Sequence, residues 1–323
     1  MFNFKKENRI IPNGQSQLLG GLFGVCVGDA LGVPFEFLSR KNIRECPCEE
    51  MVGYGTHNQR PGTWSDDSSL MLCTVESLVN DYDVEDIGKK FTDWFYNKLW
   101  TPYGNVFDIG CTTQSALKRI NNGGSSKENG ANDEQSNGNG SLMRILPMAY
   151  FLKDYDERKF EIIGDVSAIT HGHIHSKIAC SIYVELAINL LKGDSAQDSY
   201  DKMKPVIIEY YTKRGFGSEL KNFDRLLCNN IKKYKERDIK SSGYVIHTLE
   251  ASIWCLLNAS SYSSTVLPAI NLGGDTDTTG AVAGGLAGIY YGIENIPKEW
   301  TDCLARKDDI QELLSKYYNS MHK

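Results

Sequence analysis

Three short stretches carry acids and hydroxyls at spacings that could do chemistry. GDALGVPFE holds Asp29 and Glu36, WSDDSS sets Ser65 beside the adjacent acids Asp66 and Asp67, and NLGGDTDTTG alternates Asp275 and Asp277 with Thr276 and Thr278. The second and third share a design, with hydroxyl and carboxylate side chains at the start of an apolar helix. Capping accounts for part of it, because Ser65 is a good N-cap and acids favour a helix's first turn. It does not account for close pairs of acids that repel each other in two separate places. Clustered carboxylates are stable when a cation neutralises them, and hard divalent cations take carboxylate and hydroxyl oxygens. Ser65, Asp66, Asp67, Asp275, Asp277 and Thr278 supply about six oxygen donors, enough for two octahedral ions that keep some water. Two divalent cations, Mg²⁺ or Mn²⁺, are therefore the expected cofactors. For Asp29, a packing or capping role is expected ahead of a ligand role.

The elements that must position these groups read as helices almost throughout. Segments near 17–31, 66–80, 84–98, 108–121, 141–153, 174–192, 219–237, 243–259 and 278–292 repeat apolar residues every three or four positions, and alternating strand patterns are scarce. Two of these segments share a glycine stripe: Gly20, Gly24, Gly28 and Gly32 in one, Gly280, Gly284, Gly288 and Gly292 in the other. A glycine inside a helix costs up to about 1 kcal/mol relative to alanine, so something must offset the loss. Residues four apart share a helix face, and each stripe makes a smooth groove that another backbone can approach. The two helices are expected at the centre, packed on each other.

The bulk properties exclude some classes. The chain has 323 residues, a net charge of −6 and a pI near 5.6, which argues against nucleic acid or an anionic membrane as the main partner. No uninterrupted apolar run reaches membrane-spanning length, and no signal peptide is evident. The nine cysteines include no CxxC pair, and Cys26, Cys73, Cys180 and Cys255 fall in apolar helical runs. Buried free thiols in a reducing cytoplasm are expected. The N-terminal 1–15 reads as a polar extension, flexible in expectation, ahead of one domain over 16–323. The low-complexity run 121–140 reads as a mobile cleft rim, on the expectation that the two halves of the chain share one site. His171, His173 and His175 alternate, but His57, His247 and His322 lack ligand spacing, so a zinc site is not expected.

An ordered set of pieces gives this pattern a family. GDALGVPFEF at 28–37, WSDDSS at 64–69, FDIGCTTQSAL at 107–117, NGNGSLMR at 137–144, THGHIHSKIA at 170–179 and GGDTDTTGAVAGGLAG at 273–288 run along nearly the whole chain. Together they resemble the ADP-ribosylglycohydrolases of the dinitrogenase-reductase-activating type. The resemblance implies an all-α, compact single domain with a binuclear metal cleft. It implies hydrolysis of the glycosidic bond between ADP-ribose and an acceptor, with an ADP-ribosylated protein as substrate and ADP-ribose as product.

Carried over by motif, Ser65, Asp66, Asp67, Asp275, Asp277 and Thr278 are the expected metal ligands; serine stands where the family usually has threonine and keeps the hydroxyl. Glu36 matches an acid/base group, with Asp66 and Asp67 as the other candidate bases. Ser136, Asn137, Gly138, Asn139, Gly140 and Ser141 match the phosphate and ribose contact, where glycines let backbone N–H groups approach an anion and a helix expected from near Ser141 presents its positive end. His171 matches a contact to the diphosphate. Asp108 matches an acid placed near an arginine acceptor, with N-capping of the next helix as its other reading. Arginine is thus expected over serine. The alternatives are a catalytically silent binding protein, an immunity protein that neutralises an ADP-ribosyltransferase toxin, and a metal hydrolase of phosphate esters.

Overall fold

A computed structural model describes residues 11–322 of the chain. Of the expected extension over 1–15, residues 1–10 lie outside the described residues. The fold is all-α, and among the described residues only isolated β-bridges occur. The helices are α1 (Gly14–Gly32), α2 (Arg40–Glu45), α3 (Asp66–Leu78), α4 (Val84–Asn97), α5 (Cys111–Asn121), α6 (Pro147–Phe151), α7 (Lys159–Ala168) and α8 (Ile174–Leu191). They continue as α9 (Ala196–Lys213), α10 (Asp224–Leu227), α11 (Val245–Asn258), α12 (Tyr262–Asn271), α13 (Thr276–Tyr291), α14 (Lys298–Cys303) and α15 (Lys307–Ser320).

The glycine stripes build the centre. Helices α1 and α13 lie antiparallel in closer association than any other pair. A Cβ built on Gly20, Gly24 or Gly28 would fall on the backbone of Gly288, Gly284 or Gly280 in turn, and the reverse substitutions would collide with the same partners. The helix backbones therefore touch where side chains would hold them apart, and dispersion contacts offset the glycine penalty. The Tyr262 hydroxyl seals the seam by donating to the Gly24 carbonyl at 2.8 Å. Antiparallel pairing has a chemical result: the end of α1, which carries Asp29 and leads to Glu36, lies beside the start of α13, where Asp275 and Asp277 stand. Gly32 meets the Asp277 backbone directly.

Helices α1 and α8 are long and apolar enough to cross a membrane by length and composition, beyond what the broken apolar runs suggested. Both are mostly buried inside the protein, wrapped by the other helices. The nine cysteines are free, and Cys26, Cys73, Cys180 and Cys255 are buried as expected.

Three expectations about elements need correction. The stretch 141–153 is helical only over Pro147–Phe151; Pro147 lacks the N–H that would carry a helix through it and suits a first position instead. The stretch 219–237 breaks into 3₁₀ turns around α10. There the Tyr200 hydroxyl donates to the Leu226 carbonyl at 2.6 Å and Asn230 caps the next turn through the Lys232 N–H, both at the expense of helical bonds. The run 121–140 does rim the cleft, through Gln135 and 138–140, but it is hydrogen-bonded in place. Glu85 accepts from the Ser126 N–H and Ser125 hydroxyl, Asn129 donates to the Ala116 carbonyl, and Gly130 donates to the Ala168 carbonyl at 2.6 Å. These bonds pin it across α4, α5 and α7.

Candidate metal centre and cleft

Helix α3 starts at the wall of a cleft of about 410 Å³. Ser65 is its N-cap, accepting from the Asp67 N–H, and Asp66 and Asp67 fill its first turn. Asp29 of α1 holds this start in place. Its carboxylate accepts from the Ser65 N–H at 2.9 Å, the Ser68 N–H at 3.0 Å and the Ser68 hydroxyl at 2.5 Å. Asp29 thus caps α3 from a neighbouring helix, in line with its expected role. Helix α13 starts on the opposite side with Asp275 at its N-cap, whose side chain makes no capping bond. Instead its Oδ2 accepts from the Asn139 amide at 2.9 Å. The Thr278 hydroxyl donates to Asp67 at 3.3 Å, joining the two helix starts.

These acids are under-satisfied. Asp67 Oδ2, Asp275 Oδ1 and Asp277 Oδ2 are buried with no hydrogen-bond partner, where such groups are normally paired. Asp29, Asp67 and Asp277 bring ligand oxygens within 4.8 Å of one another, and so do Glu36, Asp275 and Asp277. Burial and then the neighbouring charges hold the carboxyls of Asp66, Asp67 and Asp277 well above the usual range. Burial, then Asp275, pushes Glu36 up to about 8; burial, then Glu36, pushes Asp108 up to about 7. Partnerless hard oxygens from two helix starts fit divalent cations.

Linkage gives these shifts a sign. Without a cation the folded protein keeps protons that the unfolded chain loses near pH 4, so its stability falls as pH rises from there towards about 8. A divalent cation bound there would replace those protons. Adding Mg²⁺ or Mn²⁺ to chelated protein is therefore expected to raise the melting temperature more at pH 8 than at pH 5.5, as differential scanning fluorimetry would read. Equal increments at both values would contradict the cation site.

Not every expected residue reaches the cleft. Glu36, Asp66, Asp108, Gly138, Asn139, Gly140, His171, Asp275 and Thr278 line it. Ser65, Asp67 and Asp277 lie buried behind. The side chains of Ser136, Asn137 and Ser141 do not face it. Ser136 donates to Asp133, the Asn137 amide oxygen accepts from Ser176, and the fully buried Ser141 hydroxyl bonds Ser167 and Cys180. No α-helix starts at Ser141; Asn139–Ser141 is a 3₁₀ turn. Besides the acid-bearing starts of α3 and α13, the cleft has the positive end of α5, whose N-cap Gly110 has no side-chain cap and whose first turn lines the wall. Asp108 lies upstream of that cap with φ 60°, so it is not the cap.

His171 packs on Gly140, where a Cβ would meet its ring, and pairs its Nδ1 with the Thr170 hydroxyl at 2.7 Å. Burial lowers its pKa to about 3, so it is neutral. His173 is the N-cap of α8, and the buried His175 meets Glu219 at 2.9 Å. Two residues escaped the sequence reading. His57 pairs its Nε2 with Glu36 and stands 3.7 Å from Asp108. It comes from a loop distant in sequence from both, and nothing in its spacing marked it. Arg144 is fully buried behind the 138–140 turn, donating to the Gly140 carbonyl and to Thr170 and lying over the Phe91 ring. The MR after the glycines was its only signal.

The chain is similar to known proteins over nearly its whole length. The family model described as ADP-ribosylglycohydrolase matches residues 12–323. The chain is 32 % identical over 317 residues to ADP-ribosylarginine hydrolase Tri1 of Serratia proteamaculans, covering 96 % of this chain and 81 % of that protein. It is 28 % identical over 300 residues to the ADP-ribosyl-[dinitrogen reductase] glycohydrolase of Rhodospirillum rubrum, covering 92 % of each. A solved structure titled ADP-ribosylglycohydrolase-related protein complex superposes with a TM-score of 0.79 at 29 % identity, covering 95 % of this chain and 98 % of that one.

Proposed function

This chain belongs to the ADP-ribosylglycohydrolase family, and from that membership we propose that it is a divalent-metal-dependent hydrolase that removes ADP-ribose from arginine side chains of modified proteins. The observation that carries the reading is the set of partnerless buried carboxylate oxygens beneath a cleft whose wall holds Asp108. The name of the Serratia relative, an ADP-ribosylarginine hydrolase, supports arginine as the acceptor.

Ser65, Asp66, Asp67, Asp275, Asp277 and Thr278 would hold two cations, Mg²⁺ or Mn²⁺, which when bound supply Lewis acidity towards the ribose hydroxyls and the attacking water. The chain's own groups do the rest. The open N-terminus of α5 and the 138–140 turn both line the cleft and suit the diphosphate, since amide N–H groups and a helix's positive end attract anions. His171 backs that turn as a neutral ring. Water adds to the anomeric carbon as the bond to the guanidine nitrogen breaks, through an oxocarbenium-like transition state. Glu36 on the cleft wall is the acid/base group, its carboxylate taking the attacking water's proton and passing it to the departing nitrogen. The departing nitrogen takes up a proton, and arginine leaves as guanidinium. Asp108 pairs with that guanidinium throughout.

Asp108→Ala tests the acceptor assignment. A charge-assisted hydrogen bond contributes about 1.5–3 kcal/mol, so kcat/KM on an arginine-ADP-ribosylated peptide is expected to fall by about 10- to 100-fold. Affinity for free ADP-ribose should not change. An unaltered rate on the arginine peptide would remove Asp108 from acceptor recognition.

A further inference from the structure

Phe37 directly follows Glu36 on the cleft wall, and the residue is 68 % exposed. A single exposed apolar residue needs no explanation by itself, but the backbone of this one does. Phe37 sits at φ 63°, in the left-handed region that bulky side chains avoid and that glycine or asparagine would occupy without strain. The strained turn is held from both sides. The Phe37 N–H donates to the Gly274 carbonyl at 2.7 Å, the Gly274 N–H donates to the Leu38 carbonyl at 2.8 Å, and the Thr56 hydroxyl donates to the Glu36 carbonyl at 2.7 Å. A backbone conformation this disfavoured, fastened to the segment that leads into Asp275, is the kind that persists for function. Its effect is to present an aromatic ring to solvent beside two acids. The ring centroid stands 6.0 Å from that of His57, whose Nε2 contacts Glu36 and lies 3.7 Å from Asp108.

An aromatic face next to carboxylates is complementary to one acceptor chemistry above others, a planar cation with apolar faces and hydrogen-bonding edges. We propose that Phe37 is the acceptor-recognition wall of the cleft, its ring stacking on the guanidinium of the modified arginine while Asp108 pairs with the guanidinium edge. This rests on the arginine reading above. A hydroxyl acceptor such as serine has no planar cation to stack and gains nothing from the ring. Phe37 is a specificity residue and takes no part in bond breaking.

The test uses full-length protein loaded with Mg²⁺ or Mn²⁺ and an arginine-ADP-ribosylated peptide, comparing wild type with Phe37→Asn, Phe37→Leu and Phe37→Trp. Asparagine removes the ring and tolerates the left-handed backbone. Its KM is expected to rise about 5- to 30-fold, the range of a desolvated cation–π contact, with kcat within about twofold. Its melting temperature should equal or exceed that of wild type, and its calorimetric affinity for free ADP-ribose should not change. Leucine keeps apolar bulk but loses the π face, so it should resemble asparagine, whereas tryptophan should restore wild-type KM. An unchanged KM in Phe37→Asn overturns the proposal, and so does a lowered melting temperature with KM tracking it, which would make the ring a packing group. If wild type cleaves the peptide, these results judge Phe37 alone. If wild type does not cleave it, the arginine reading fails and the proposal with it.

Discussion

In Asp275→Asn, ADP-ribose release is expected to fall by more than about 100-fold, while the helical circular dichroism spectrum stays intact. Loss of an outer-shell partner already costs roughly 10–100-fold in metal affinity or activity, and Asp275 stands at the cleft itself with one oxygen unpartnered. Asparagine keeps the size and an oxygen but removes the charge that a cation needs. The variant should also lose most of the cation-induced rise in melting temperature. Without cation it should melt no lower than wild type, because one of several mutually repelling acids has been neutralised; Asp275 raises the pKa of Glu36, Asp66, Asp67 and Asp277. Thermal denaturation with and without Mg²⁺, beside a turnover assay, reads both effects. Unchanged turnover would remove Asp275 from the metal centre.

The largest structural effect is expected at the helix seam. Gly284→Val places a side chain on the Gly24 carbonyl, and neither backbone can yield without separating α1 from α13. Overpacking costs about 1–3 kcal/mol where side chains can adjust; backbone against backbone should exceed that. A loss of at least about 3 kcal/mol takes a large share of a typical stability of 5–15 kcal/mol, so insoluble protein or a melting temperature lower by several degrees is expected. The control is Gly164→Ala in α7, where a Cβ would meet only the flexible Lys177 side chain at 3.7 Å. That change should stabilise by about 0.5–1 kcal/mol. Equal effects at the two sites would mean that the seam is not the close contact described. Activity should fall with stability in Gly284→Val, because the seam places Asp29 and Glu36 beside Asp275 and Asp277.

The seam and the acids were legible in the sequence for one reason: each is periodic or clustered along the chain. Glycines every fourth residue declare a backbone contact wherever the partner lies, and paired acids at two helix starts declare a charge that must be neutralised. His57 was illegible because its role is made by a fold contact to Glu36 and Asp108, not by spacing. The exposure and strain of Phe37 were hidden for a similar cause, since they depend on hydrogen bonds to Gly274 and on Thr56 holding Glu36. The 136–141 stretch reads in the sequence as one continuous ligand contact leading into a helix at Ser141. A 3₁₀ turn rotates Ser141 into the core, and a one-residue difference in turn type decides which way it points. Asp108 preceding an apolar helix looked equally like a cap, and only its left-handed backbone and the Gly110 N-cap separate the two roles.

Cation-dependent release of ADP-ribose from modified arginine is measured with two matched peptides, one ADP-ribosylated on arginine and one on serine. The protein is stripped by chelation, assayed, then reloaded with Mg²⁺ or Mn²⁺ and assayed again. Free ADP-ribose should be released from the arginine peptide only, with release abolished by stripping and recovered on reloading. Release that survives stripping, or release from serine alone, would contradict it.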